Sequence, residues 1–279
     1  RQPAACFQLF HAASGAAGRP PAQTLQALVE IARNPWRNID EIFALSRIAM
    51  PPYAPALAAA PSAWTLPIVF DGVNKGSGTE YSVLNGPGNV AFDARGSAWV
   101  GINYQPSPGP GQENVPVCAG TILVRFAPDG SFWPGSPYEG GGLDGVGFGT
   151  SIDTRGYVWA SNFGFSGDGC PFVPGSDSVS AFTPEGVPVS GDDGFTKGGI
   201  SWPQGIVSNL AGDIWIASCL NGNVTVYPDG RPGRARVIPA GVTGVEKPFA
   251  IAIDGQNRAW ITSNENSAVA VLDRQGWPL

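Results

Sequence analysis

The pattern of apolar and polar positions divides the chain into a short helical stretch and a long series of strand-sized runs. From Thr24, the expected N-cap, Leu25, Leu28, Val29 and Ala32 recur at helical spacing. Asn34-Pro35 ends this helix, because the residue before a proline is pushed out of the α region. Asn38 and Glu41 have the spacing of a capping box for a second helix, whose apolar stripe is Ile39, Ile42, Phe43 and Ile48. Residues 1–19 give no firm element, and the Pro/Ala alternation from Pro51 to Ser62 predicts an extended tether. Trp64 to Phe70 is the first strand-like run.

Beyond a Gly-rich turn the runs repeat. First runs lie at Asn89–Phe92, Thr150–Ile152, Gly205–Ser208 and Ala250–Ile253. Each is followed by an Asp/Asn-led turn and a second run that carries a tryptophan. The pairs are Asp93/Trp99, Asp153/Trp159, Asn209/Trp215 and Asp254/Trp260, with Gly96, Gly156, Gly212 or Asn257 three residues before the Trp. A third run then ends in turn chemistry, as in ILVRFAPDG, SVSAFTPEG, NVTVYPDG and AVAVLDRQG, and a weaker fourth run follows. The Trp-to-Trp spacings are 60, 56 and 45 residues. Units of four antiparallel strands repeated at such a period predict an all-β propeller, with a helical lead-in and tether over 1–62 and blades over 63–279. Four repeats are visible in what is expected to be a five- or six-bladed ring. The last repeat stops at Trp277-Pro278-Leu279, before its outer strand is complete. Either Trp64–Phe70 returns to complete it or further blades follow.

Composition narrows the function classes. Only 14% of residues are charged, the net charge is −6, and Gly (39) and Pro (27) are abundant, as many tight turns require. With no Lys/Arg run, a nucleic-acid or anionic-membrane partner lacks its electrostatic footprint. The four cysteines show no CxxC spacing and the single histidine is His11, so a zinc site is not expected. The chain starts at Arg1 and has no apolar run of signal or spanning length, which reads as a mature or trimmed segment. Low Lys and cysteines in polar loops suggest a secreted, periplasmic or cell-surface protein, taken to be a monomer.

The third copy, WPQGIVSNLAGDIWIAS followed by GNVTVYPDG, resembles the NHL-repeat and streptogramin-lyase group of β-propellers, and the resemblance spans about Leu84 to Gly276. The lead-in TLQALVEIARNP is similar to that of exported bacterial NHL-repeat proteins. The resemblance implies two enzyme chemistries to test. Virginiamycin B lyase-like enzymes use a catalytic His and a metal-binding Glu on the central face, yet the propeller here has no His. Gluconolactonase-like enzymes hold a divalent metal with Glu, Asn and Asp at the entry to the innermost strands. The matching positions are Gly88, Phe148, Gln204 and Phe249, none of them a carboxylate.

The four tryptophans are therefore expected to fill blade cores, and the Asp/Asn residues to bond local backbone N–H groups. Asp144 and the Asp192-Asp193 pair read as solvated loop acids. Strand-entry and second-to-third-strand loop positions should open on one face. Asn103, Tyr104, Phe148, Asn162, Phe163, Gln204, Phe249 and Asn264 are the candidate ligand-binding residues there, with no catalytic group, metal or cofactor. Cys118, Cys170 and Cys219 lie in loops of successive blades on this face, and Cys170–Cys219 is the expected bridge. The function expected is non-catalytic binding of a small molecule, glycan or protein partner. The alternatives are a metal-assisted lactonase- or lyase-type enzyme with its active residues in blades outside this sequence, and a purely structural propeller.

Overall fold

A computed structural model of the chain describes residues 4–15, 18–47, 57–64, 86–104, 118–164, 169–170 and 177–279. The chain forms two compact units, Arg1–Val69 and Phe70–Leu279. The expected strand after Trp64 lies outside the described residues.

Among the described residues the first unit holds three helices, α1 (Ala4–Ala12), α2 (Thr24–Arg33) and α3 (Ile39–Leu45). The first of these falls in the stretch without a predicted element. Phe10, Ala13, Ala27 and Ile31 form its core. Thr24 is the first residue of α2; the cap position belongs to Gln23, which makes no side-chain cap bond. Asn38 does precede α3, but in the left-handed region at φ 50° and without a capping-box bond. Its amide instead donates to the Ala12 carbonyl at 2.9 Å, tying α3 to α1.

The second unit is a β-propeller of four antiparallel sheets. Blade 1 has β1 (Pro87–Phe92), β2 (Ala98–Ile102), β3 (Ile122–Phe126) and β4 (Tyr138–Glu139). Blade 2 has β5 (Thr150–Ile152), β6 (Val158–Asn162) and β7 (Ser178–Phe182), with isolated bridges from Phe182 to Pro188 and from Val179 to Phe195 in place of an outer strand. Blade 3 has β8 (Pro203–Ser208), β9 (Ile214–Ser218), β10 (Asn223–Tyr227) and β11 (Arg236–Ile238). Blade 4 has β12 (Pro248–Ile253), β13 (Ala259–Ser263) and β14 (Val269–Leu272), with a Leu272–Pro278 bridge. The innermost strands β1, β5, β8 and β12 neighbour one another in that order.

The repeated turn explains the chassis. The first carboxylate oxygen of Asp93 accepts the Arg95 and Ser97 N–H groups at 2.9 and 3.0 Å, and the second accepts the Trp99 indole N–H at 3.1 Å. Asp153/Trp159 and Asp254/Trp260 repeat the arrangement, with indole bonds of 3.2 and 2.9 Å. The turn needs a positive φ three residues before the Trp, which Gly96 supplies at +77° and Asn257 at +62°. Each Trp then packs in the seam with the following blade. Trp99 joins Leu143, Val158 and Phe182; Trp159 joins Ile206, Ile214 and Tyr227; Trp215 joins Val245, Ile261 and Leu272. These three are at most 2% exposed, whereas Trp260 is 41% exposed, since no blade lies against its side among the described residues. The first seam also carries a buried cation. The Arg125 guanidinium sits 4.7 Å over Trp99 and 3.7 Å over Trp133, pairs with Asp93, and donates to the Pro184 carbonyl of blade 2 at 3.0 Å.

Close backbone approach sets the inner spacing. A Cβ on Gly149 would fall 2.4 Å from the Gln204 carbonyl oxygen, and one on Gly205 would fall 2.7 Å from that of Phe249. Counted back from each Trp, these two glycines occupy the same repeat position, ten residues earlier, where the first and fourth copies have Asn89 and Ala250. Pairing also shifts register at Pro87/Val90, Pro203/Ile206 and Pro248/Ile251. Such bulges re-aim the side chains beside them.

Candidate functional site

The residue just ahead of each close-approach position projects where the innermost strands begin. Phe148, Gln204 and Phe249 thus converge in one recess of about 310 Å³, where the loop residues Phe163 and Asn264 join them. The aromatic rings form a continuous chain. Phe249 and Phe148 lie 5.5 Å apart, Phe148 and Phe163 5.1 Å, and Phe163 and Trp202 5.4 Å, all steeply inclined. Edge-to-face contacts of this kind hold rings in fixed orientations.

Five of the eight candidate residues are brought together in this way, and three are not among the recess lining. Asn162 is fully buried; its amide donates to Ser178 and Ser180 at 2.8 and 2.9 Å, and its Oδ1 accepts the Asp144 N–H at 3.2 Å, a bracing role inside blade 2. Asn103 lies beside Gly147, with backbone bonds to Gly86 and Gly120. Tyr104 forms an isolated bridge with Ala119 and lies over Gly86. All three sit towards blades 1 and 2, whereas the recess opens over blades 2 to 4.

Trp202, Leu220 and Lys247, which escaped the sequence reading, also line the recess, as does Cys219, which was expected in the bridge. Trp202 sits two residues ahead of Gln204 in a left-handed conformation, φ 44°, which no residue-type rule predicts for tryptophan. Its N–H donates to Asp177 at 2.6 Å and its carbonyl accepts the Cys219 N–H at 3.1 Å. The signal available was positional: all four stand at strand entry or in a second-to-third-strand loop.

The described disulfide is Cys118–Cys170, with Cα atoms 5.5 Å apart, and not the expected Cys170–Cys219. Cys219 stays a buried thiol lining the recess, since Cys170 is already bonded to Cys118. Burial raises its pKa, Lys247 lowers it and Glu265 raises it, for a net upward shift that keeps it protonated. At the rim Lys247 pairs with Glu265, whose hydrogen bond and charge raise the lysine pKa further. Gln204 is 2% exposed, and its Oε1 has no hydrogen-bond partner among the described residues.

Asp144 departs from its expected solvated state. It is 4% exposed, and burial raises its pKa to about 6.

These residues do not fit the divalent metal that the gluconolactonase-like resemblance implies. The four strand-entry positions provide a single side-chain oxygen, that of Gln204, among aromatic rings, whereas a hard cation takes six or more oxygens. The described residues contain no group of three His, Cys, Asp or Glu able to hold a metal ion.

Fold and site together define a β-propeller with an aromatic recess at the entry to its inner strands. No protein-family model matches the chain, and no curated protein does. Among solved structures it is similar to virginiamycin B lyase from Staphylococcus aureus at 18% identity and a TM-score of 0.50, over 70% of this chain and 54% of the lyase. A streptogramin B lyase (12% identity, TM-score 0.46, 71% and 68% covered) and a gluconolactonase from Xanthomonas campestris (19%, 0.44, 72% and 59%) are also similar. The chain thus spans about half the length of the first of these enzymes, and the likeness supports the lyase-like propeller fold.

Proposed function

We propose that this chain is a non-catalytic, exported propeller of the NHL-repeat type that binds a ligand, glycan or protein partner on the face carrying its second-to-third-strand loops. The observation that carries the reading is the recess itself. Three consecutive blades contribute to it, and among the described residues its lining includes no carboxylate or imidazole to act as a general base. A concave, largely apolar site with a few polar groups is the usual form of a small-molecule pocket. Export is supported by the Cys118–Cys170 disulfide. Among the described residues, no helix is long and apolar enough to cross a membrane.

The test is retention from complex mixtures. Native mass spectrometry after incubation with culture-medium and cell-wall extracts should show a retained species. Phe163→Ala, which opens the recess wall, should lose that species while unfolding as a single transition. Lactone hydrolysis or lyase turnover abolished by a chelator would overturn the reading in favour of an enzyme. Failure to retain any species would leave a structural propeller.

A further inference from the structure

Among the described residues, each seam between blades has a giving and a receiving side. Trp99, Trp159 and Trp215 give. The receivers lie on the innermost strand of the next blade, seven or nine residues before its own tryptophan: Ile152 for Trp99, Ile206 for Trp159, and Ile251 with Ile253 for Trp215. Both ends of the series are open. In blade 4 Trp260 is 41% exposed, and the face around it is exposed too, with Ala252 beside it in register and Thr262 paired with Val269 next along the strands. In blade 1 Val90 and Phe92 hold the receiving positions and are 46% and 68% exposed. We infer that these faces meet between copies: the Trp260 face of one chain packs on the Val90/Phe92 face of a second, and two chains close as one ring.

The partner follows from what each face lacks. The Trp260 face is the giving half of a seam whose receiving half is the blade 1 face, so a second copy supplies both complements. The polar part of the seam agrees. In each seam an arginine of the giving blade reaches the turn after the third strand of the next blade. Arg125 donates to the Pro184 carbonyl at 3.0 Å, Arg236 donates to that of Gln275, and a Cβ on Gly230 would fall 2.5 Å from Arg155 Nη2. Blade 4 carries Arg258, paired with Asp254 and 5.7 Å over the Trp260 ring. The equivalent turn of blade 1 is Pro128-Asp129-Gly130. Arg258 of one copy therefore faces Asp129 of the other, opposite charges at the edge of an apolar contact. A head-to-tail contact of this kind either closes or runs on as a filament. Four blades from each copy make a ring of eight, within the range propellers adopt. Closure takes both apolar faces out of water at once.

Sedimentation of the full chain over a range of concentrations provides the test, and should show a species of twice 28.9 kDa. Ala252→Glu places a charge on the giving face while leaving Trp260 and its bond to Asp254 intact. Phe92→Glu does the same to the receiving face. Each should weaken association by about thirtyfold or more, since the contact would desolvate an unpaired carboxylate. An equal mixture of the two variants should recover association in part, because Ala252→Glu keeps a receiving face and Phe92→Glu a giving one. Asp129→Lys, in an exposed turn, should weaken the parent pair by about two- to fivefold. All three positions are exposed, so each variant should keep the parent's unfolding transition, and Val269→Glu replaces Ala252→Glu if that one fails to fold. A chain that stays at 28.9 kDa throughout overturns the proposal and leaves the two faces to another occupant, such as a further blade. Association that Phe92→Glu leaves unchanged means that the Trp260 faces pack on each other, and overturns the head-to-tail seam. A series of ever longer species overturns the closed pair.

Discussion

The amide of Asn209 donates to the Asp213 carboxylate at 2.9 Å, and the indole N–H of Trp215 is left without an acceptor among the described residues. In the other three repeats an aspartate accepts the Trp indole at 2.9–3.2 Å. Asn209 still performs the turn's other task, because its Oδ1 accepts the Ala211 and Asp213 N–H groups at 2.9 Å. Asp213 is what changes the chemistry: an aspartate at position 209 would face it as a like charge. Asn209→Asp alone should therefore destabilise the fold by about 1 kcal/mol at neutral pH, despite restoring the indole bond. That loss should shrink as the pH falls, since a like-charge neighbour raises a folded carboxyl pKa. Adding Asp213→Ser removes the repulsion and should turn the loss into a gain of about 1 kcal/mol. Urea unfolding of the single and double variants checks both signs.

Gly149 and Gly205 set how closely β5 approaches β8 and β8 approaches β12. A methyl group at either would press on a backbone carbonyl, which has no rotamer to move aside. Gly149→Ala and Gly205→Ala should each destabilise by about 1–3 kcal/mol. They should also widen the recess, because Phe148 and Gln204 immediately precede them. The corresponding residue of the fourth copy, Ala250, is exposed, so Ala250→Gly should stay within about 1 kcal/mol of the parent. Gains at Gly149→Ala and Gly205→Ala beside a loss at Ala250→Gly would show that backbone entropy, and not blade spacing, governs them.

The chassis was legible because it rests on local chemistry. An Asp, a residue tolerant of positive φ and a Trp within one turn generate their own hydrogen bonds, so the motif can be read without knowing what surrounds it. The face could also be read, since a meander places strand entries and second-to-third loops together. The membership of the recess was only half legible. Asn103, Tyr104 and Asn162 occupy loop-end positions like that of Asn264, but blades 1 and 2 absorb them in local bonding. The disulfide depended on which neighbouring cysteine Cys170 meets, a tertiary matter that spacing does not encode. The burial of Asp144 is likewise a property of the seam between blades, and not of the glycine-rich segment in which it lies.

Asp144 gives a pH signature whose sign follows from that burial. Its folded pKa is raised from 3.8 to about 6, so the folded chain holds the proton more tightly than the unfolded chain does. Its contribution to stability is then most favourable below the unfolded value and is lost as the pH rises from about 4 through 6. At neutral pH the ionised, buried carboxylate costs on the order of 2–3 kcal/mol. Asp144→Asn keeps the shape and removes the charge. It should raise stability at pH 7, leave it nearly unchanged at pH 4, and flatten the slope between. A variant whose advantage is the same at both pH values would mean that the carboxyl is hydrated in the folded protein.

Cys118 and Cys170 are separated by 52 residues, and their bridge joins the long loops of blades 1 and 2. Cross-linking a loop of that length removes conformational freedom chiefly from the unfolded chain. Cys118→Ser/Cys170→Ser should therefore lower the unfolding free energy by about 2–4 kcal/mol. Peptide mapping without reduction should recover Cys118 linked to Cys170, with Cys6 and Cys219 as thiols. The two thiols should also differ in reactivity, because the thiolate is the nucleophile. Cys219 is 7% exposed with a raised pKa, whereas Cys6 is partly exposed. Native-state alkylation should reach Cys6 first and Cys219 only slowly. Recovery of a Cys170–Cys219 peptide, or alkylation of Cys219 as fast as Cys6 in the native protein, would remove the thiol from the recess and reopen the shape of its wall.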